Sequence, residues 1–172
     1  MEQPFARRPS VPAGYGAASA SDPPGTRLPW PTVFGWLVEA RTYWICTTRP
    51  DGRPHAVPVW AVWLDGALYF STDAASGTGR NLAVNPSVVV HPDNGDKVAI
   101  MEGTARQVSD HTLLVRFTTE VERKYDWPMD PDTLPGLVYA LAPARVLSWD
   151  ATDSLGETMT RWEPLRPGDS CA

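Results

Sequence analysis

The run Ser76-Gly77-Thr78-Gly79-Arg80-Asn81 sets two hydroxyls, two glycines, a guanidinium and a carboxamide side by side. It follows a strand-like segment and leads into a helix-like one. Such a loop can cradle a phosphate, because free N–H groups at a helix start favour anions and an arginine binds phosphate oxygens through two parallel hydrogen bonds. The same residues also fit an ordinary capped loop, with Ser76 or Thr78 as the cap. His55, in an apolar stretch upstream, can orient a ligand or serve as a structural, solvent-facing histidine. No catalytic residue is identified, and His55 is the one candidate for that role. His91 and His111 flank a turn and a helix start with no shared spacing, so a metal site has little support. Neither Ser-His-Asp spacing nor a Gly-x-Gly-x-x-Gly fingerprint occurs. Glu102, polar within an apolar run, reads as a structural carboxylate. Cys46 and Cys171 form no metal or redox spacing and read as reduced and incidental.

These side chains need a scaffold, and the chain spells one out. Residues 1–29 are rich in Pro, Gly, Ala and Ser without periodicity and read as a disordered tail. A proline opens residues 31–40, where Val33, Trp36, Leu37 and Ala40 share one helical face. Strands are expected at 41–48, 53–64 and 67–72, separated by the turn pairs Asp51-Gly52 and Asp65-Gly66. A polar loop over 73–79 precedes a helix near 80–84, which Asn85-Pro86 stops. Strands at 87–91 and 96–108 flank Asn94-Gly95. Asp110 caps a helix over 111–125, with Leu113, Leu114, Phe117 and Val121 at helical spacing, expected to cover one face or end of the sheet. Two last strands, 137–149 and 158–162, bring the count to about seven strands and two or three helices. The folded domain is expected to span 30–165, with a short tail over 166–172.

In the 53–64 segment Val57, Val59, Ala61 and Trp63 point one way, and Ala56, Pro58, Trp60, Val62 and Leu64 the other. Both faces ask for burial, whereas a half-solvated antiparallel strand shows one polar face. One face can fill a small barrel. The other needs a helix, a second subunit or a bound ring system.

Composition narrows the function. The 172 residues are 42% hydrophobic and 10% aromatic, enough for one domain with a core. Fifteen basic against twenty acidic residues, a net charge of −5 and no basic run argue against a nucleic-acid partner. No apolar stretch approaches the roughly twenty residues of a membrane helix, and the start of the chain lacks a signal pattern, so no membrane role and a cytoplasmic location are expected. The cations are thirteen Arg and two Lys, Lys97 and Lys124. That bias, with the many Ala, Pro and Gly residues, suggests GC-rich coding.

Several segments in order carry a family resemblance: Tyr43 to Thr48, Asp51-Gly52-Arg53-Pro54-His55 and Pro58-Val59-Trp60, then Asp65-Gly66 running on to Ser71-Thr72. Arg80-Asn81-Leu82, Asn85-Pro86, Glu102-Gly103-Thr104-Ala105 and Thr160-Arg161-Trp162 follow. From Pro31 to Trp162 the chain resembles the pyridoxamine 5′-phosphate oxidase-like proteins that bind FMN or the deazaflavin F420. The resemblance implies a mainly β (α+β) fold, a six- to seven-stranded antiparallel split β-barrel with a few flanking helices. It also implies a homodimer with cofactor sites along its interface. The counterparts of Pro58, Val59 and Trp60 lie beside the tricyclic ring. Ser71 and Thr72 would bond the ribityl chain or phosphate, and His55, Ser76, Thr78, Arg80 and Asn81 would complete the site. Arg161 and Trp162 would reach the neighbouring protomer's cofactor or, on their residue types alone, close the barrel. The chain departs at Thr78, where many relatives carry a lysine; a hydroxyl supplies no charge, so the phosphate would lean on Arg80 or on another arginine. The implied activity is hydride transfer between F420, favoured by the GC-rich bias, or FMN and a small organic substrate. The rival is a non-catalytic cofactor- or tetrapyrrole-binding protein.

Overall fold

A computed structural model describes residues 4–7, 27–152 and 158–163. Its strands are β1 (Phe5–Arg7), β2 (Tyr43–Thr48), β3 (Pro54–Val59), β4 (Ala61–Leu64), β5 (Ala67–Thr72), β6 (Ser87–Pro92), β7 (Lys97–Val108), β8 (Leu137–Asp150) and β9 (Thr160–Glu163). The helices are α1 (Trp30–Glu39), α2 (Gly77–Val84) and α3 (His111–Tyr125). Within the tail expected to lack structure, Phe5–Arg7 instead pair antiparallel with β9, a match with a distant strand that three residues cannot announce by periodicity. The rest of that tail over 8–26, and the C-terminal tail with Cys171, lie outside the described residues.

All ladders are antiparallel, in the order β1-β9-β8-β7-β6-β2-β3, with β5 joining β8 to β4. The long β8 shares one edge with β7 along its whole length; its other edge serves β5 over Leu137–Leu141 and β9 over Val146–Ser148. The sheet is not closed by hydrogen bonds. Two of its three ends, β3 and β4, are successive pieces of chain joined at Trp60. This is a split barrel, and it corrects the expectation of one strand over 53–64. Apolar alternation runs unbroken through Trp60, but β3 pairs with β2 while β4 pairs with β5, and a change of pairing partner leaves no mark in a local pattern.

The turns are made as their residues dictate. Asp65 and Gly66 both take positive φ (49° and 81°), the two-residue hairpin turn whose twist matches the strands it joins. Gly52 is left-handed at φ 85°. Asn94 works differently: its side-chain oxygen accepts from the Asp96 and Lys97 amides at 2.8 and 3.1 Å, an Asx turn. Asp110 caps α3 by accepting from Leu113 N at 2.9 Å, and the left-handed Asp126 ends it.

The barrel interior holds Tyr43, Ile45, Leu68, Phe70, Met101 and Leu141, and α1 adds Val33 and Leu37. A second core lies outside the barrel, where Phe117, Val121 and Tyr125 of α3 cover Val62, Leu64, Tyr69 and Val138. The two-faced strand thereby resolves. Val57, Val59, Ala61 and Trp63 face inward or are partly buried, α3 covers the outer face of β4, and Ala56, Pro58 and Trp60 stay exposed on the outer side of β3.

Candidate cofactor site

Helix α2 rests on β2 and β3 and carries most of the predicted phosphate loop. It begins at Gly77, earlier than expected, because Ser76 caps it: Ser76 Oγ accepts from Gly79 N at 2.9 Å and lies 2.9 Å from Thr72 Oγ1. The cap alternative for this loop is therefore realised, by Ser76 rather than Thr78. Gly79 has no room for a side chain; a methyl group there would stand 2.8 Å from the Ala74 carbonyl oxygen.

Thr78 and Asn81 are buried, each 3% exposed, on the face of α2 toward the sheet. Asn81 Nδ2 donates to Thr47 Oγ1 at 2.9 Å, fixing the helix to β2. Thr78 Oγ1 lies 3.4 Å from His55 Nε2, and Gly77 approaches the same ring so closely that a Cβ would come within 3.1 Å of it. His55 Nδ1 lies 3.2 Å from a guanidinium nitrogen of Arg49. His55, Thr72, Ser76, Thr78 and Asn81 thus converge around the start of α2, with Thr47 and Arg49 added. Arg80 does not join them: it is exposed, and its guanidinium donates to the Ala75 carbonyl of its own loop.

The other predicted residues lie elsewhere. Ser71 is partly buried and pairs with Val138 of β8. Pro58 pairs with Trp44, and Val59 packs against the barrel core. Trp60, 43% exposed, stacks on Tyr125 with ring centres 4.6 Å apart and planes 6° from parallel, and the 57% exposed Trp127 meets it edge-on. Trp162 is inside the barrel, its indole N–H donating to Ser148 Oγ at 2.8 Å and its ring 5.3 Å from that of Trp30. That places it where it closes the barrel. Beside it, Arg161 Nε is buried without a hydrogen-bond partner among the described residues. Glu102 forms an exposed ion pair with Arg145 at 3.1 Å, and Cys46 is partly buried, with burial pushing its thiol pKa up.

Sequence reasoning missed Arg49, Thr47 and the aromatic partners of Trp60. The register of the β2–β3 hairpin could have found the first two: with Thr47 opposite His55, Arg49 falls at the mouth of the turn, beside that histidine. Nothing local announces that Tyr125 and Trp127 meet Trp60.

The family model described as pyridoxamine 5′-phosphate oxidase matches residues 31–150, which is most of the chain. The chain belongs to that family. No curated protein matches. Solved structures of like fold include an F420 reductase, 22% identical, with a TM-score of 0.53 over 79% of this chain and 98% of that one. A pyridoxamine 5′-phosphate oxidase-related, FMN-binding protein from Nostoc punctiforme is 19% identical, with a TM-score of 0.53 over 80% and 91% of the two chains. The heme storage protein HutZ from Vibrio cholerae is 20% identical, with a TM-score of 0.56 over 68% and 90%.

The residues present fit the anionic end of a flavin-type cofactor of this family in kind. Thr78, Thr72 and Ser76 offer hydroxyls, His55 a ring nitrogen and Arg49 a guanidinium, and Gly77 and Thr78 open the helix with amides for which no partner occurs among the described residues. Nearly all of these groups can donate, and no carboxylate stands among them.

Proposed function

We propose that the protein binds F420 or FMN, with the phosphate end held at the start of α2 and the ring toward Pro58, Val59 and Trp60, and that it acts as an oxidoreductase on a small organic substrate in the cytoplasm. The observation that carries this reading is the convergence of His55, Thr72, Ser76 and Thr78, from three separate segments, on one donor-rich spot in a chain of this family. When bound, such a cofactor supplies the hydride chemistry itself. The chain's own residues then orient the phosphate, exclude water and present an aromatic wall at Trp60, so no side chain need act as acid or base.

Two copies of the chain are part of this reading. The outer side of β3 leaves Ala56 and Pro58 exposed, with the partly exposed Trp60 at its end. A second protomer on the sheet would cover them. F420 is preferred to FMN on the GC-rich bias of the sequence.

Parallel fluorescence titrations of the purified protein with F420 and FMN test the reading. Saturable binding of one of them at micromolar concentration or below, by a species that sediments as a dimer, is expected. Binding of neither sinks it. A second reading, a binding protein without catalysis, is favoured by the neutral Thr78 and by Arg80 being turned back on its own loop. Bound cofactor that no reductant or substrate converts would select that reading.

A further inference from the structure

Resting on the cofactor-binding reading, we propose that Arg49 supplies the positive charge for the ligand's phosphate ester, in place of the charge that Thr78 does not carry. Arg53, Arg116, Arg123 and Arg145 each meet a carboxylate, of Asp51, Asp65, Glu120 and Glu102. Arg49 has no ion pair among the described residues. Its side chain makes one hydrogen bond, to His55 Nδ1 at 3.2 Å.

That contact has a definite polarity. A guanidinium can only donate, so Nδ1 of the neutral imidazole is the acceptor and Nε2 carries the hydrogen. The Nε2–H group is directed toward Thr78 Oγ1, 3.4 Å away. Arg49, His55 and Thr78 therefore form a row of donors ending on the buried side of α2, and the cation at its far end feels the Asp51 carboxylate, which pairs with Arg53, without itself pairing with it. An acceptor carrying negative charge is what this row lacks.

Two other cations are committed elsewhere. Arg80 donates to Ala75 O. Lys124 is held between Tyr43 and Ala61 O, under α3. Lys97 opens β7. The backbone places Arg49 firmly, since Arg49 N donates to Arg53 O at 2.9 Å and Arg49 O accepts from Gly52 N at 2.8 Å, so only its side chain needs to move to meet a ligand. A guanidinium also binds two phosphate oxygens at once, which one ammonium does not.

The test varies the protein and the ligand together. Dissociation constants are measured for FMN and riboflavin, and for F420 and its phosphate-free deazaflavin core, with the unchanged chain, Arg49→Ala and Arg49→Lys. The expected result is that Arg49→Ala weakens the phosphorylated ligand by about tenfold or more, leaves the phosphate-free ligand unchanged, and that Arg49→Lys recovers part of the loss. Unchanged binding of the phosphate-free ligand also shows that the variant is folded. If Arg49→Ala weakens both ligands alike, or neither, Arg49 does not contact the phosphate and the proposal is overturned while the cofactor reading stands. If the unchanged chain binds no flavin or deazaflavin, the cofactor reading and this proposal fall together.

Discussion

Replacing Lys124 with methionine should stabilise the protein and flatten its response to pH. The ammonium is partly buried, donates to Tyr43 Oη at 3.1 Å and Ala61 O at 3.0 Å, and lies 5.0 and 5.4 Å from the ring centres of Tyr43 and Tyr125. Among the described residues no carboxylate offsets its desolvation, which with the charge of Arg123 lowers its pKa from 10.5 to about 8. At face value that is about 3 kcal/mol against the charged form; part of the side chain meets solvent, and screening reduces the figure to about 1–2 kcal/mol. Methionine keeps the apolar stem and strands no partner, because Ala61 O still accepts from Tyr125 Oη and Tyr43 Oη still donates to Leu37 O. The sign of the pH effect follows from the depressed pKa. Below pH 8 the lysine is charged whether folded or unfolded, and the full cost is present. Between about 8 and 10.5 the folded chain releases the proton while the unfolded chain keeps it, so stability rises with pH. Above about pH 10 the trend reverses, because burial raises the pKa of Tyr43 and the unfolded tyrosine ionises first. Urea unfolding at intervals from pH 7 to pH 10 should show the original chain gaining about 1–2 kcal/mol between pH 8 and pH 10. Lys124→Met should be about 1 kcal/mol more stable at pH 7 and lack that rise. A stability that is flat or falling over pH 8–10 in the original chain, or a rise that persists in the variant, would refute the reasoning.

Gly79→Ala forces a methyl group against the Asp73 and Ala74 backbone, which should cost about 2–4 kcal/mol and abolish F420 or FMN binding by displacing the start of α2; a thermal melt and a titration together check this. Tyr125→Phe removes the hydroxyl that lies 2.9 Å from Arg41 O, Ala61 O and Ala61 N. It should cost about 2–3 kcal/mol in denaturant unfolding while leaving the Trp60 stacking contact, and hence the tryptophan emission maximum, in place.

Much of the fold was legible because the residues that set it act locally. Asp51-Gly52 and Asp65-Gly66 fix two hairpins, Asp110 starts α3, and the apolar parity of residues 56–64 assigns each side chain to the correct face. What escaped depends on distant partners. The break at Trp60 arises because β3 and β4 answer to different neighbours, and β1 exists only through β9. The site divides the same way. Ser76, Thr78 and Asn81 could be picked out by residue type beside a helix start, but the turn of Arg80 onto its own loop is a matter of side-chain conformation, and the contact of Arg49 with His55 depends on the hairpin register.

The junction at Trp60 has a consequence for how such a barrel can change over generations. The registers on its two sides are set independently, β2–β3 by the Asp51-Gly52 turn and β4–β5 by the Asp65-Gly66 turn. A residue gained or lost at the junction would therefore leave both ladders aligned, whereas the same event within a strand would turn every later side chain to the opposite face. The seam is the place where the chain can be lengthened or re-sequenced without dismantling the sheet, and it sits beside the aromatic cluster of Trp60, Tyr125 and Trp127. Variation in what the barrel accepts can accumulate there while its frame is inherited intact.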